Sequence, residues 1–165
     1  MKFRVALDQN FPTNLVSSIE GAVPQTIELR SVWAIDPKLS DMGDRQLILS
    51  LHSIGFDALV SQDARILQTP EHLAALLATK IGFVCVRNAA NSSIKATGAL
   101  LLELSRLPRV FQERGRRVLD LHFESRRPRD AWHYMEKIAK RSGTEARKLY
   151  AQFKPTAEEL RLAGS

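Results

Sequence analysis

Three aspartates stand where chemistry could be done. Asp8 follows the β-prone run Phe3 to Leu7, Asp63 closes Ser61-Gln62-Asp63 after the run Phe56 to Val60, and Asp44 opens the amphipathic stretch before that second run. In a parallel sheet, ligands bind beyond the carboxyl ends of the strands, so Asp8 and Asp63 would face one crevice. Asp44 joins them if its helix starts from the same side. Close carboxylates raise one another's pKa unless a cation neutralises them, which makes such a cluster a divalent-metal site. Mg²⁺ or Mn²⁺ suits an all-oxygen site, and two ions about 3.5 to 4 Å apart could activate water and stabilise the leaving oxygen of a phosphodiester. Each aspartate also has a plainer use: Asp8 and Asp63 as turn residues, Asp44 with Asp41 as a helix-capping pair.

Cationic residues surround these acids. Arg65 could fork onto a scissile phosphate or simply face solvent. Arg87-Asn88 follows the apolar run Phe83 to Val86, where it could hold phosphate or base, or form an ordinary loop. Arg126, Arg127 and Arg129 open a basic tail: residues 126 to 165 hold 10 Lys/Arg against 5 Asp/Glu, +5 of the chain's +6. Such a segment suits polyphosphate, a solvated helix being the alternative. Trp132, His133 and Tyr134 within it suit either stacking on single-stranded RNA or packing on the core. His52, His72, His122 and His133 form no ligand-spaced pair, which argues against zinc, and His72 reads as exposed. Cys85, the single cysteine, reads as a buried thiol, so the chain has no internal disulfide.

The elements that must position these residues are legible as alternating strands and helices. Strands are expected at Phe3 to Leu7, Thr26 to Trp33, Phe56 to Val60, Phe83 to Val86 and Arg117 to Phe123. Helices are expected after Pro12, from Asp44 to a stop at Gly55, from Pro70 to a stop near Gly82, and over 94 to 106. Asp36-Pro37 should break the chain into a loop of about ten residues. This alternation predicts an α/β fold with a parallel, doubly wound sheet. At 165 residues and 44% hydrophobic, the chain suits one core: a domain over 1–125, an edge at Pro128, and a basic helical extension over 126–165 split at Gly143 and Pro155. No apolar run approaches the ~20 residues that span a bilayer and no signal peptide opens the chain, so a cytoplasmic protein without a membrane role is expected.

Three segments in register carry a family resemblance. Leu7-Asp8-Gln9-Asn10-Phe11-Pro12, Gly43-Asp44-Arg45-Gln46-Leu47-Ile48, and Gly55-Phe56 through Ser61-Gln62-Asp63-Ala64-Arg65-Ile66 to Thr69-Pro70-Glu71 resemble the PIN-like domains related to VapC-type toxins. The likeness covers roughly residues 3 to 86. It implies a three-layer αβα sandwich with metal-binding, catalytic acids at Asp8, Asp44 and Asp63, and Mg²⁺-dependent endonucleolytic RNA cleavage. It further implies an RNA substrate, for which Arg65, Arg87, Arg126, Arg127 and Arg129, singled out by their positions, are the expected phosphate contacts. An antitoxin protein as partner, in a toxin–antitoxin pair, and a homodimer as a possible assembly also follow from it. Ser61 stands for the family's usual Thr, Gln9 where some relatives have a second acid, and Leu47 where others have Trp. A fourth acid is not matched, with Asp41 the nearest candidate.

Two other classes fit less well. A signalling receiver needs an acidic pair after its first strand and a Lys after its last, where this chain has Asp8-Gln9 and Glu124-Ser125; D-x-D hydrolases fail at Asn10. The alternative to a nuclease is a PIN-like RNA-binding or protein-interaction module without catalysis.

Overall fold

The apolar run that stops at Asp8 forms an inner strand, β1 (Phe3–Leu7), and every other strand is placed relative to it. The computed structural model describes residues 2–11, 13–87, 92–112, 117–121 and 128–163, with backbone alone at 13–15, 93, 112, 117, 128 and 129. After β1 come α1 (Thr13–Ile19), β2 (Ile27–Ser31), α2 (Val32–Ile35), α3 (Pro37–Ser40), α4 (Asp44–Ser53) and β3 (Ala58–Ser61). A 3₁₀ helix (Ala64–Gln68), α5 (Pro70–Ala78), β4 (Gly82–Val86), α6 (Ser93–Leu104), α7 (Leu107–Gln112) and β5 (Arg117–Leu121) follow. The chain continues through β6 (Pro128–Asp130), α8 (Ala131–Arg141), α9 (Ala146–Phe153) and α10 (Ala157–Leu162).

The sheet runs β2-β1-β3-β4-β5-β6. Its first five strands are parallel and β6 is antiparallel to β5. The α/β class and the parallel sheet are therefore as the alternating pattern predicts. Because β2 lies on one side of β1 and β3 on the other, the connections diverge at β1 and β3. In open α/β sheets such a divergence is where a ligand crevice lies, beyond the carboxyl ends of the strands.

Both faces of the sheet are covered, which is why β3 and β4 are buried at every position rather than alternately. Ala6, Leu59, Phe83, Cys85 and Val118 point into one core with α4, α5 and α8. Val5, Leu7, Ala58, Val60, Val84 and Leu119 point into the other, with Leu100 and Leu104 of α6 and Leu107 of α7.

Local departures from the sequence pattern have physical causes. The expected strand to Trp33 ends at Ser31, whose Oγ accepts the Ala34 amide at 3.2 Å and so caps α2. Asp36 does the same for α3 through Lys38 N at 2.9 Å, with Pro37 in the first turn, so a one-turn helix occupies the start of the expected long loop. Gly55 (φ +80°) follows α4 in the left-handed region, as a helix stop requires. Gly82 is not a helix stop: α5 ends at Ala78, and Gly82 opens β4 where a Cβ would fall 2.5 Å from the Phe111 ring. Only glycine lets α7 lie that close to the strand.

The basic C-terminal segment is helical and divides near Gly143 and Pro155, as expected. Pro128, read as a boundary, begins β6 instead. Tyr134, Met135 and Ala139 of α8 and Leu149 of α9 belong to the same core as α4 and α5. Arg45 ties α10 down: its Nε and Nη2 donate to Glu159 Oε1 at 3.2 and 2.9 Å, and its Nη1 donates to the carbonyls of Phe153 and Glu71 at 2.8 and 3.2 Å. Among the described residues no helix is long and apolar enough to cross a membrane.

Candidate active site

The carboxyl ends of β1 and β3 meet through one hydroxyl. Ser61, fully buried as the last residue of β3, donates from Oγ to Asp8 Oδ2 at 2.6 Å and accepts the Asp63 amide at 2.9 Å. Asp8 is buried, its own amide donating to Val60 O at 2.9 Å. Its Oδ1 accepts the Gln9 amide at 2.7 Å and its Oδ2 also accepts Asn10 Nδ2 at 3.1 Å. Three donors hold this carboxylate in a set orientation. The turn at Asp8 is thus real, and the same residue is aimed into the crevice.

Asp63 caps the 3₁₀ helix, taking the Arg65 amide at 2.8 Å, and pairs side-on with the Arg65 guanidinium, Nη2 to Oδ2 at 2.6 Å. The Arg65 hydrogen bond holds the Asp63 carboxyl below its ordinary value, and in return Asp63 raises Arg65 further. The Arg65 side chain is 83% exposed, and its guanidinium hydrogen bonds run to the neighbouring Asp63 carboxylate.

Asp44 stands in the first turn of α4, whose N-cap is Gly43 with no side-chain cap bond, so Asp44 and Asp41 form no capping pair. Its carboxylate faces His72 Nδ1 at 3.5 Å, an ion-pair distance without a hydrogen bond. Burial pushes the Asp44 carboxyl up; His72 opposes this, and Asp8 and Asp63 push it further up. The three aspartates are therefore electrostatic neighbours. His72, read from the sequence as exposed, is instead mostly covered at the first turn of α5, with a ring nitrogen shut off from solvent. Asp41 is exposed at the end of α3.

Sheet register extends the site. Asp8 follows β1 directly, and Ser61, Cys85 and Asp120 lie on the successive strands β3, β4 and β5, with Ser61 opposite Cys85 and Cys85 opposite Asp120. Asp120 is buried; its Oδ1 accepts Arg87 Nε at 2.7 Å and its Oδ2 accepts the Tyr134 hydroxyl at 3.1 Å. Cys85 is buried and its thiol is pushed up to about 12, chiefly by burial. Asp120 is the acid that sequence reading missed. The available signal was an acid between Leu119 and Leu121, inside the apolar part of the strand.

Of the remaining sequence candidates, Trp132 packs edge-on against Tyr150 at 5.9 Å, and Tyr134 is buried, so the packing use of this aromatic group is the one found. Arg129 lies in β6 opposite Val118, its side chain outside the described residues. Arg126, Arg127, Asn88 and Pro12 lie outside them altogether.

The donor chemistry fits a hard divalent cation. The three acids offer oxygen donors, and the push of Asp8 and Asp63 on the Asp44 carboxyl is what such an ion relieves. The present spacing is looser than the chemistry: among the described residues no three His, Cys, Asp or Glu side chains stand close enough to ligate one ion. Arg65 occupies the Asp63 oxygens a cation would take. Comparison with protein-family models, curated proteins and solved structures gave no match.

Proposed function

We propose that this chain is a PIN-like, divalent-metal-dependent endoribonuclease whose acids are Asp8, Asp44 and Asp63, and that it acts as the toxin of a toxin–antitoxin pair. The observation that carries the reading is the Ser61 hydroxyl joining the Asp8 carboxylate to the Asp63 backbone where the strand connections diverge, with Asp44 coupled electrostatically to both.

In this reading Asp8, Asp44 and Asp63 hold Mg²⁺ or Mn²⁺. The ion would polarise a phosphodiester and lower the pKa of a bound water. The chain's own residues do the positioning. Asp8 offers oxygens already oriented by three donors, and Ser61 sets the spacing of the β1 and β3 ends. His72, when protonated, offsets the Asp44 charge. Arg65 is exposed enough to leave Asp63 for a phosphate at little cost, since exposed ion pairs are weak. The toxin role adds a small antitoxin protein that covers the crevice.

Asp8→Asn and Asp63→Asn test the reading, each keeping size while removing charge. RNA cleavage by the wild type should need Mg²⁺ or Mn²⁺, stop with chelator, and fall by orders of magnitude in either variant. Failure of the wild type, freed of co-purifying protein, to cut a broad RNA panel sinks the enzyme. The Arg65–Asp63 pair and the loose spacing of the acids favour a second reading, a catalytically silent RNA-binding or protein-interaction module. That module would keep its RNA affinity in both variants and yield no metal-dependent products.

A further inference from the structure

The β4–β5 side of the crevice carries a cation held differently from Arg65. Arg87 stands one residue past β4, its side chain a quarter exposed, and Asp120 engages it through Nε alone. A guanidinium has five donors in a planar fork, and the edge bearing the two Nη groups matches phosphate oxygens. Asp120 is itself buried and braced by the buried Tyr134 hydroxyl at 3.1 Å, which fixes the guanidinium's orientation from behind. Tying β4 to β5 does not require this arrangement, because the Arg87 amide already donates to Leu121 O at 3.0 Å. A polyanion lying on the Asp8–Asp63 cluster needs positive charge close by, and Arg87 follows β4, the neighbour of β3 in the sheet at a strand spacing of about 4.8 Å. Between them Cys85 is buried, and its raised thiol adds no charge at neutral pH.

We infer that Arg87 forms a second subsite for a phosphodiester adjoining the one at the acids, with Asp120 and Tyr134 as its positioning residues. The inference rests on the nuclease reading and deepens it: the ligand is a polynucleotide strand crossing from β3 towards β5, and a mononucleotide would leave the subsite empty.

Binding of a short, end-labelled single-stranded RNA, followed by fluorescence anisotropy in chelator, separates this from cleavage. Arg87→Gln should weaken binding about tenfold and flatten the slope of log K against log salt by about 0.7, the share of one phosphate contact on a single strand. Walking a neutral methylphosphonate along the RNA should reveal one linkage whose neutralisation weakens wild-type binding and costs Arg87→Gln nothing more. Asp120→Asn and Tyr134→Phe should weaken binding in the wild type and add nothing in Arg87→Gln, because they act through that side chain.

Unchanged affinity and salt slope in a folded Arg87→Gln protein would overturn the subsite. So would equal losses at every linkage, a result obtainable on the wild type alone if the variant does not fold. A wild type that cleaves RNA without dependence on Arg87 loses the subsite only. One that binds through Arg87 and never cleaves loses the nuclease reading only.

Discussion

The Arg65 guanidinium lies across the Asp63 carboxylate, Nε at 2.9 and 3.0 Å and Nη2 at 2.6 Å, so a protein cation already sits where the proposed reaction wants a metal. Arg65→Ala should therefore raise divalent-ion affinity. Because the pair is exposed and screened by solvent, the gain should be small, a few-fold at most. Mn²⁺ titration followed by electron paramagnetic resonance measures it. Equal affinities in the two proteins would show that the pair does not compete with the ion.

Ser61→Ala leaves the buried Asp8 without one of its three donors and the Asp63 amide without its acceptor. The expected loss is about 1 to 3 kcal/mol of stability, seen as a shift in denaturant midpoint with unchanged m-value. Ser61→Thr keeps the hydroxyl and should recover most of this. A Ser61→Ala midpoint equal to that of the wild type would mean water replaces the hydroxyl at no cost.

Asp44 has a carboxyl raised first by burial and then by Asp8 and Asp63. A raised folded-state value means that this group favours folding most below its ordinary pKa, about 3.9, and that the benefit is lost as pH rises through the folded value. Metal-free protein at pH 7 thus carries an unfavourable charge there. Asp44→Asn should raise Tm by a few degrees at pH 7 and by nothing at pH 3, where wild-type Asp44 is already neutral. Saturating Mn²⁺ should reverse the order at pH 7. Calorimetry in chelator and in Mn²⁺ reads both outcomes.

Arg45→Ala should free α10 while leaving the sheet intact, because the bonds lost run to Glu159, Phe153 and Glu71. Hydrogen exchange should quicken across residues 157–162 and stay slow in β1 and β3. Glu159 also answers to pH: the Thr156 amide and Arg45 hold its carboxyl down. A lowered folded-state value contributes stability above the ordinary pKa of about 4.3 and loses it as pH falls through the folded value. Acidification of the wild type should accordingly loosen α10 before the core, and uniform exchange across the molecule would contradict this.

What the sequence disclosed followed distance along the chain. Asp8 and Asp63 could be placed because each lies just beyond an apolar run, and the runs themselves are local patterns. Asp120 could not be placed, since its neighbours Leu119 and Leu121 mark a strand whatever stands between them; only the pairing of Cys85 with Asp120 puts that acid in line with Ser61. His72 looked like a solvated helix residue because Asp44, its partner, is 28 positions earlier and is brought near by the packing of α4 on α5. β6 escaped because three residues beginning with Pro128 hold no period, and its strand character comes wholly from β5. Arg65 was expected to seek phosphate or solvent, and the tight turn after Asp63 gave it a carboxylate two residues away.

The placing of α8 bears on how the molecule is made. A ribosome delivers β1 through β5 before any of α8, so during that interval Leu73, Leu76 and Leu77 of α5 have only part of their cover and Asp120 has no Tyr134 to brace it. The nascent chain therefore presents a greasy flank and an unfinished crevice, and the two are cured together by the same eleven-residue helix. The brace on Asp120 and the share of cover that α8 gives α5 thus arrive at one moment of synthesis, before Leu149 of α9 joins the same core.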